Sequence, residues 1–139
     1  MNNSPVLSDF EKSLRQFEKA LTVPANDDLI KAGCIQYFEF CFELAWKSIQ
    51  VLVRKQGLSD CLSPKACLRE AFTNGWIQNE EIWLQMLEAR NKMSHTYDTD
   101  EALKVYASLA GFLPELKSLD SHYSSRIISS AVANAIVRP

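Results

Sequence analysis

The chain is expected to fold as an all-α protein, an antiparallel up-and-down bundle of four long helices with an additional short helix. Three observations point there. Glycine and proline number only 4 and 5 among 139 residues, alternation of the strand type is nearly absent, and each apolar segment repeats every three to four residues. The connections between these segments are short, which favours antiparallel neighbours. At 47% hydrophobic and 10% aromatic, the chain reads as one domain over residues 1–139, able to bury roughly two thirds of the surface its unfolded form exposes. The core is expected over about residues 8 to 116, with 118–139 a weak helix or mobile tail.

The first helix is expected to open at Ser8, which with Glu11 has the spacing of a capping box. Phe10, Leu14, Phe17 and Leu21 follow on one face, and Pro24 closes the segment. The second starts at Asp27 or Asp28 and runs to about Lys55, where Gly57 supplies a stop. Its middle, CIQYFEFCFELAW, is apolar around most of its circumference, as suits a central helix with several neighbours. Gln36, Glu43, Lys47 and Gln50 interrupt it as a narrow polar stripe. The simplest reading is a solvated face on which Glu43 and Lys47 form an i, i+4 pair.

Ser63 followed by Pro64 marks the start of a third, short helix that ends at Asn74-Gly75. Asn79, with Glu80 and Glu81 behind it, caps the fourth. The fifth opens near Thr99 or Asp100 and carries Leu103, Tyr106, Leu109 and Leu113, with Pro114 a point of kinking. Beyond Ser118 the serine-rich stretch has weaker helical credentials.

Several function classes are disfavoured. A net charge of -2 and a pI near 5.7 argue against coating nucleic acid by bulk electrostatics, because each phosphate contact needs a positive partner; a local basic site is still compatible. The four cysteines (Cys34, Cys41, Cys61, Cys67) show no C-x-x-C pair and are expected to be buried, reduced thiols. The amino terminus MNNSPVLSDF lacks the basic and apolar regions of a leader, and no uncharged apolar run reaches 18 residues. A cytoplasmic protein without a membrane span is the expectation.

Against this plain helical background RNKMSHTYD, residues 90 to 98, concentrates reactive side chains. Were the fourth helix to continue, Arg90 and Tyr97 would share a face while His95 stood about 140° from Arg90. The two therefore meet most easily if the helix loosens or ends between them, leaving Asp98 to cap the next helix. Arginine is a permanent cation with a planar fork of donors, and histidine passes protons both ways near neutrality. Together they suit phosphodiester cleavage in RNA, where the 2'-hydroxyl is the internal nucleophile and no metal or cofactor is called for. The residues alone allow a plainer alternative, a histidine that binds the last carbonyls of a helix. His122 carries no functional expectation.

R-N-K-M-S-H-T-Y has the form R-x4-H-x-Y. Together with QYFEFCFELAWKSIQ, SPKACLREAF and EEIWLQMLEARN, it makes the chain resemble the HEPN superfamily, in its nucleotidyltransferase-substrate-binding or HepT-like group. The resemblance implies a helical bundle that pairs as a homodimer, with the motifs of both chains lining one cleft. It further implies a minimal nucleotidyltransferase as partner and a toxin–antitoxin relation between the two. Carried onto this chain, Arg90 and His95 become metal-independent ribonuclease residues and Tyr97 the acceptor of AMP. Asn91 and Ser94 are weaker candidates for hydrogen bonds to phosphate and Lys92 for a point charge; a local backbone bond is the alternative for Asn91. The same group also admits a non-catalytic subunit that presents a substrate to the nucleotidyltransferase.

Overall fold

The computed structural model describes the backbone of residues 5–95 and 98–137 and the side chains of 5–93 and 98–125. Five helices follow one another: α1 (Pro5–Ala20), α2 (Asp28–Lys55), α3 (Pro64–Thr73), α4 (Glu80–His95) and α5 (Thr99–Val137). α2 packs against all four others, and α1, α4 and α5 complete the antiparallel bundle, with the ten-residue α3 as the additional short helix.

Local sequence decides most of the boundaries. The Asp27 carboxylate accepts from the Ile30 N–H at 2.9 Å and starts α2; past its end, Gly57 takes φ 68°, a left-handed conformation that glycine adopts without steric cost. The Ser63 hydroxyl accepts from the Ala66 N–H at 3.2 Å ahead of Pro64, and Gly75 at φ 77° follows the end of α3. α1 departs from expectation. It begins at Pro5, so Ser8 lies inside the helix rather than at its cap, and Glu11 pairs with Arg15 at 2.7 Å instead of closing a capping box. Proline at the first helical position, where its missing N–H costs nothing, starts the helix one turn earlier.

The core is aromatic at its centre. Phe10, Phe17, Phe38, Phe42 and Trp83 are fully buried, and the Phe38 ring meets those of Phe17, Phe42 and Phe112 at centroid distances of 6.0, 6.1 and 5.3 Å. Burial continues past Ser118 on α5, where Leu119 and Tyr123 join the core. The Tyr123 and Ser48 hydroxyls share a 2.7 Å hydrogen bond, and Ser48 also reaches the Ala45 carbonyl at 2.6 Å. Pro114 is exposed, so α5 accommodates it on its solvent side.

Cys34 and Cys41 are free and buried, as expected. Cys61 and Cys67 correct the expectation of four reduced thiols, because they form a disulfide. Capping at Ser63 turns the chain back on itself, so that one helical turn later Cys67 faces Cys61 with their Cα atoms 5.1 Å apart, inside the span a disulfide needs.

Candidate functional site

α4 carries the motif out of the core. The Asn79 side chain accepts from the Ile82 N–H at 3.3 Å to begin the helix, and Trp83, Met86 and Ala89 fix its inner face among buried residues. Arg90 follows directly on Ala89, half-buried at the edge of the core. The helix then runs unbroken through His95, so it neither loosens nor ends between Arg90 and His95 as the sequence suggested. On one continuous helix the two positions stand about 140° apart. The side chains of Ser94 and His95, and the whole of Tyr97, lie outside the described residues. Asp98 caps α5 as expected, its Oδ1 accepting from the N–H groups of Asp100 at 2.9 Å and Glu101 at 3.1 Å.

Arg90 is held from two sides. Its Nη2 pairs with Glu43 Oε2 at 2.8 Å, and its Nη1 donates to Asn91 Oδ1 at 3.0 Å. Glu43 is fixed in turn, since its Oε1 accepts from the Trp46 indole N–H at 3.0 Å. One helical turn before Glu43, Glu39 has its carboxyl pKa raised, chiefly by burial; Arg90 opposes that shift and Glu43 adds to it. The arginine thus sits opposite two carboxylates of α2, its guanidinium oriented by Asn91 and by Glu43, which is itself anchored by Trp46.

Sequence reasoning missed this pairing. The polar stripe of α2 is divided between solvent and inward contacts: Glu43 binds Arg90 and Trp46, and Gln50 donates to the Cys61 carbonyl at 2.6 Å. Of the stripe's four members, Gln36 and Lys47 are exposed. The available signal was a carboxylate pair at i, i+4, Glu39 and Glu43, inside an otherwise apolar helix, where an isolated charge is expensive unless paired.

Lys92 projects on the other side of α4. Its ammonium contacts Glu101 at 3.1 Å and Glu88 at 3.4 Å, and those two carboxylates raise its pKa, Glu101 most. It therefore ties the last turns of α4 to the first turn of α5. An open groove of about 670 Å³ runs along this side, with Leu84 and Leu87 as its apolar wall and Asn91, Lys92 and Lys65 among its polar lining. Position 95 lies one turn beyond Asn91 on the same side of the helix, so the motif borders both the groove and the contact that Arg90 makes with Glu43 of α2. Among the described residues no group of three or more His, Cys, Asp or Glu could hold a metal ion, and no helix is long and apolar enough to cross a membrane.

Residues 6–125 match the family described as nucleotidyltransferase substrate binding protein like. The chain belongs to that family. It is similar, at 36% identity over 92 residues, to a protein of Haemophilus influenzae named probable ribonuclease HepT; the match spans 63% of each chain. A Haemophilus influenzae structure, described as revealing the fold of a substrate binding domain of a nucleotidyltransferase, superposes with a TM-score of 0.72 at 30% identity, covering 83% of this chain and 96% of its own. A Thermus thermophilus crystal structure does so with a TM-score of 0.72 at 26% identity, covering 79% and 94%. The all-helical architecture is thus that of the nucleotidyltransferase substrate binding family, with Arg90 to Tyr97 inside the matched stretch.

Proposed function

We propose that this family member is a metal-independent ribonuclease toxin of the HEPN type, controlled by a partner minimal nucleotidyltransferase that adenylylates Tyr97. The observation that carries the reading is Arg90 itself. It is the first residue of R-x4-H-x-Y, half-buried beside the core and braced by Glu43 and Asn91, the preorganisation that charge stabilisation in a transition state requires. The Haemophilus relative's name supports the ribonuclease part of this reading.

In the proposed reaction the 2'-hydroxyl of an RNA nucleotide attacks the adjacent phosphorus while the bond to the leaving 5'-oxygen breaks. His95 takes the proton of the attacking hydroxyl and returns it to the leaving 5'-oxygen, giving a 2',3'-cyclic phosphate and a 5'-hydroxyl, and Arg90 stabilises the charge gathering on the phosphoryl oxygens. Asn91 and Ser94 add hydrogen bonds to phosphate and Lys92 a point charge. Two copies of the chain, paired as a homodimer, bring both motifs to one cleft; the exposed Tyr37 and Phe40 on the outer face of α2 favour such pairing. AMP on Tyr97, two residues from His95, adds a phosphodiester charge and a bulky base where RNA must lie. The setting is cytoplasmic.

A second reading has its own support. Arg90 is already neutralised by Glu43, and the family description names substrate binding, which suits a non-catalytic subunit that presents a substrate to a nucleotidyltransferase. Incubation of the purified chain with mixed RNA in a metal chelator, beside His95→Ala, separates the two. A ribonuclease cuts as wild type and loses roughly 10²- to 10⁴-fold on substitution with an unchanged circular dichroism spectrum. Absence of cutting by either protein favours the substrate-presenting subunit.

A further inference from the structure

A second cavity, of about 180 Å³, lies between the first half of α2 and the junction of α4 with α5. Ile35, Met93 and Ala102 give it apolar walls, while Lys31, Gln36 and Glu39 supply polar groups. Two of these residues lie near Arg90. Met93 is one turn beyond Arg90 on α4, and Glu39 is within electrostatic reach of both Arg90 and Glu43.

Size, charge and hydrogen-bonding capacity restrict what can enter. The cavity is smaller than the roughly 300 Å³ at which sites for drug-sized ligands begin, so it admits one ring system rather than a whole nucleotide. Asp28 and Glu39 outnumber Lys31 in its lining, which repels a phosphate and leaves a neutral, planar group as the fitting occupant. An ionised carboxylate offers two acceptors side by side. Among the RNA bases, guanine alone presents two adjacent donors on its Watson–Crick edge, N1–H and the N2 amino group; adenine and cytosine set a donor beside an acceptor, and uracil has a single donor between two carbonyls. Guanine O6, next to that donor pair, needs a donor in return, which the Gln36 amide or the Lys31 ammonium can provide. Proteins read single-stranded RNA in this way, with a splayed base held by its edge in a partly apolar pocket.

We infer that this cavity receives one guanine base of an RNA strand, its Watson–Crick edge on Glu39 and its phosphate directed toward Arg90. The base pocket deepens the ribonuclease reading and, for the RNA strand, rests on it. It gives the cut a preference for a phosphate next to guanosine.

Guanosine monophosphate and adenosine monophosphate, titrated separately into the full chain with the Met93 methyl resonance as reporter, test the pocket without any cleavage. Guanosine monophosphate should shift Met93 and bind at least roughly tenfold more tightly than its adenosine counterpart, and Glu39→Gln should remove most of that difference, because an amide replaces one acceptor with a donor. Ala102→Leu, which fills the cavity from another side, should abolish the Met93 shift while circular dichroism stays unchanged. Equal affinity for the two nucleotides, or a Met93 resonance that neither one moves, overturns the pocket. Guanine-selective binding by a chain that cuts no RNA sustains the pocket and sinks the ribonuclease; cutting with no preference for guanosine and no nucleotide binding does the reverse.

Discussion

The aromatic centre of the bundle and the junction of α4 with α2 and α5 are built from opposite materials. At the centre, Phe38 touches three other rings and is wholly withdrawn from water. At the junction the contacts are ionic, and the partners remain partly wet: the Arg90 and Glu43 side chains keep 28% and 32% of their surface exposed, and Lys92 and Glu101 keep 48% and 32%. Apolar burial is strong and undirected, so it fixes where helices lie. Half-exposed ion pairs contribute little net stability but orient side chains. The molecule places its candidate chemistry where contacts can be exchanged for a ligand's at small cost, on a frame that does not depend on them.

Substitutions at the centre should therefore have the largest effect on stability. Phe38→Ala is expected to lower unfolding free energy by about 3–5 kcal/mol, the range for a buried aromatic whose cavity cannot collapse, measured by urea denaturation. A smaller loss would mean that the surrounding rings repack and that the centre is less rigid than its burial implies.

The centre should also respond to alkali. Burial pushes the Cys41 thiol up to about 12 and raises the Tyr123 hydroxyl too, each against a weaker opposing hydrogen bond, from Ser13 and Ser48 respectively. A folded-state pKa above the unfolded value means that the native state holds the proton more tightly. Stability is then full below the unfolded thiol pKa and falls as pH rises from about 8.5 toward 12, by at most about 1.4 kcal/mol per pH unit for one group. Cys41→Ala should flatten the slope of stability against pH between about 9 and 10, where tyrosine has yet to contribute, whatever it does to stability at neutrality. An unaltered slope would assign the alkaline transition elsewhere.

Tyr123→Phe comes next, at about 1–2 kcal/mol, because one hydrogen-bond partner disappears while Ser48 keeps the Ala45 carbonyl. A value near zero would show that the Ala45 contact alone satisfies Ser48.

What was legible in the sequence divides along the same line. Helix caps are local, and Asp27, Ser63-Pro64, Asn79 and Asp98 announced their helices because each acts within three residues of itself. The buried side of α2 was legible as periodicity. The start of α1 was misplaced because Ser8 and Glu11 satisfy a spacing rule that Pro5 pre-empts one turn earlier. The Cys61–Cys67 bridge and the Arg90–Glu43 pair were not legible, since one depends on how a capped turn folds back and the other on two helices far apart in sequence. For the candidate site, the sequence named the arginine but not the carboxylates that face it. Motif spacing records which residues share a segment; it carries no information about what another helix brings to them.

Glu43→Gln is the smallest of these changes in stability and the most discriminating. The amide keeps the shape and can still accept from the Trp46 N–H, but it removes the charge opposite Arg90. Since both partners of the pair are near one third exposed, the expected loss is under about 1 kcal/mol. If the proposed ribonuclease reading holds and the junction is built to be remade, its effect should instead fall on cleavage. Releasing the guanidinium from one anchor should change kcat more than KM, because orientation matters most when charge develops on the phosphate. A loss of several kcal/mol would place Glu43 with the core as a structural pair. An equal rise in KM with kcat unchanged would mean that Arg90 serves substrate binding alone.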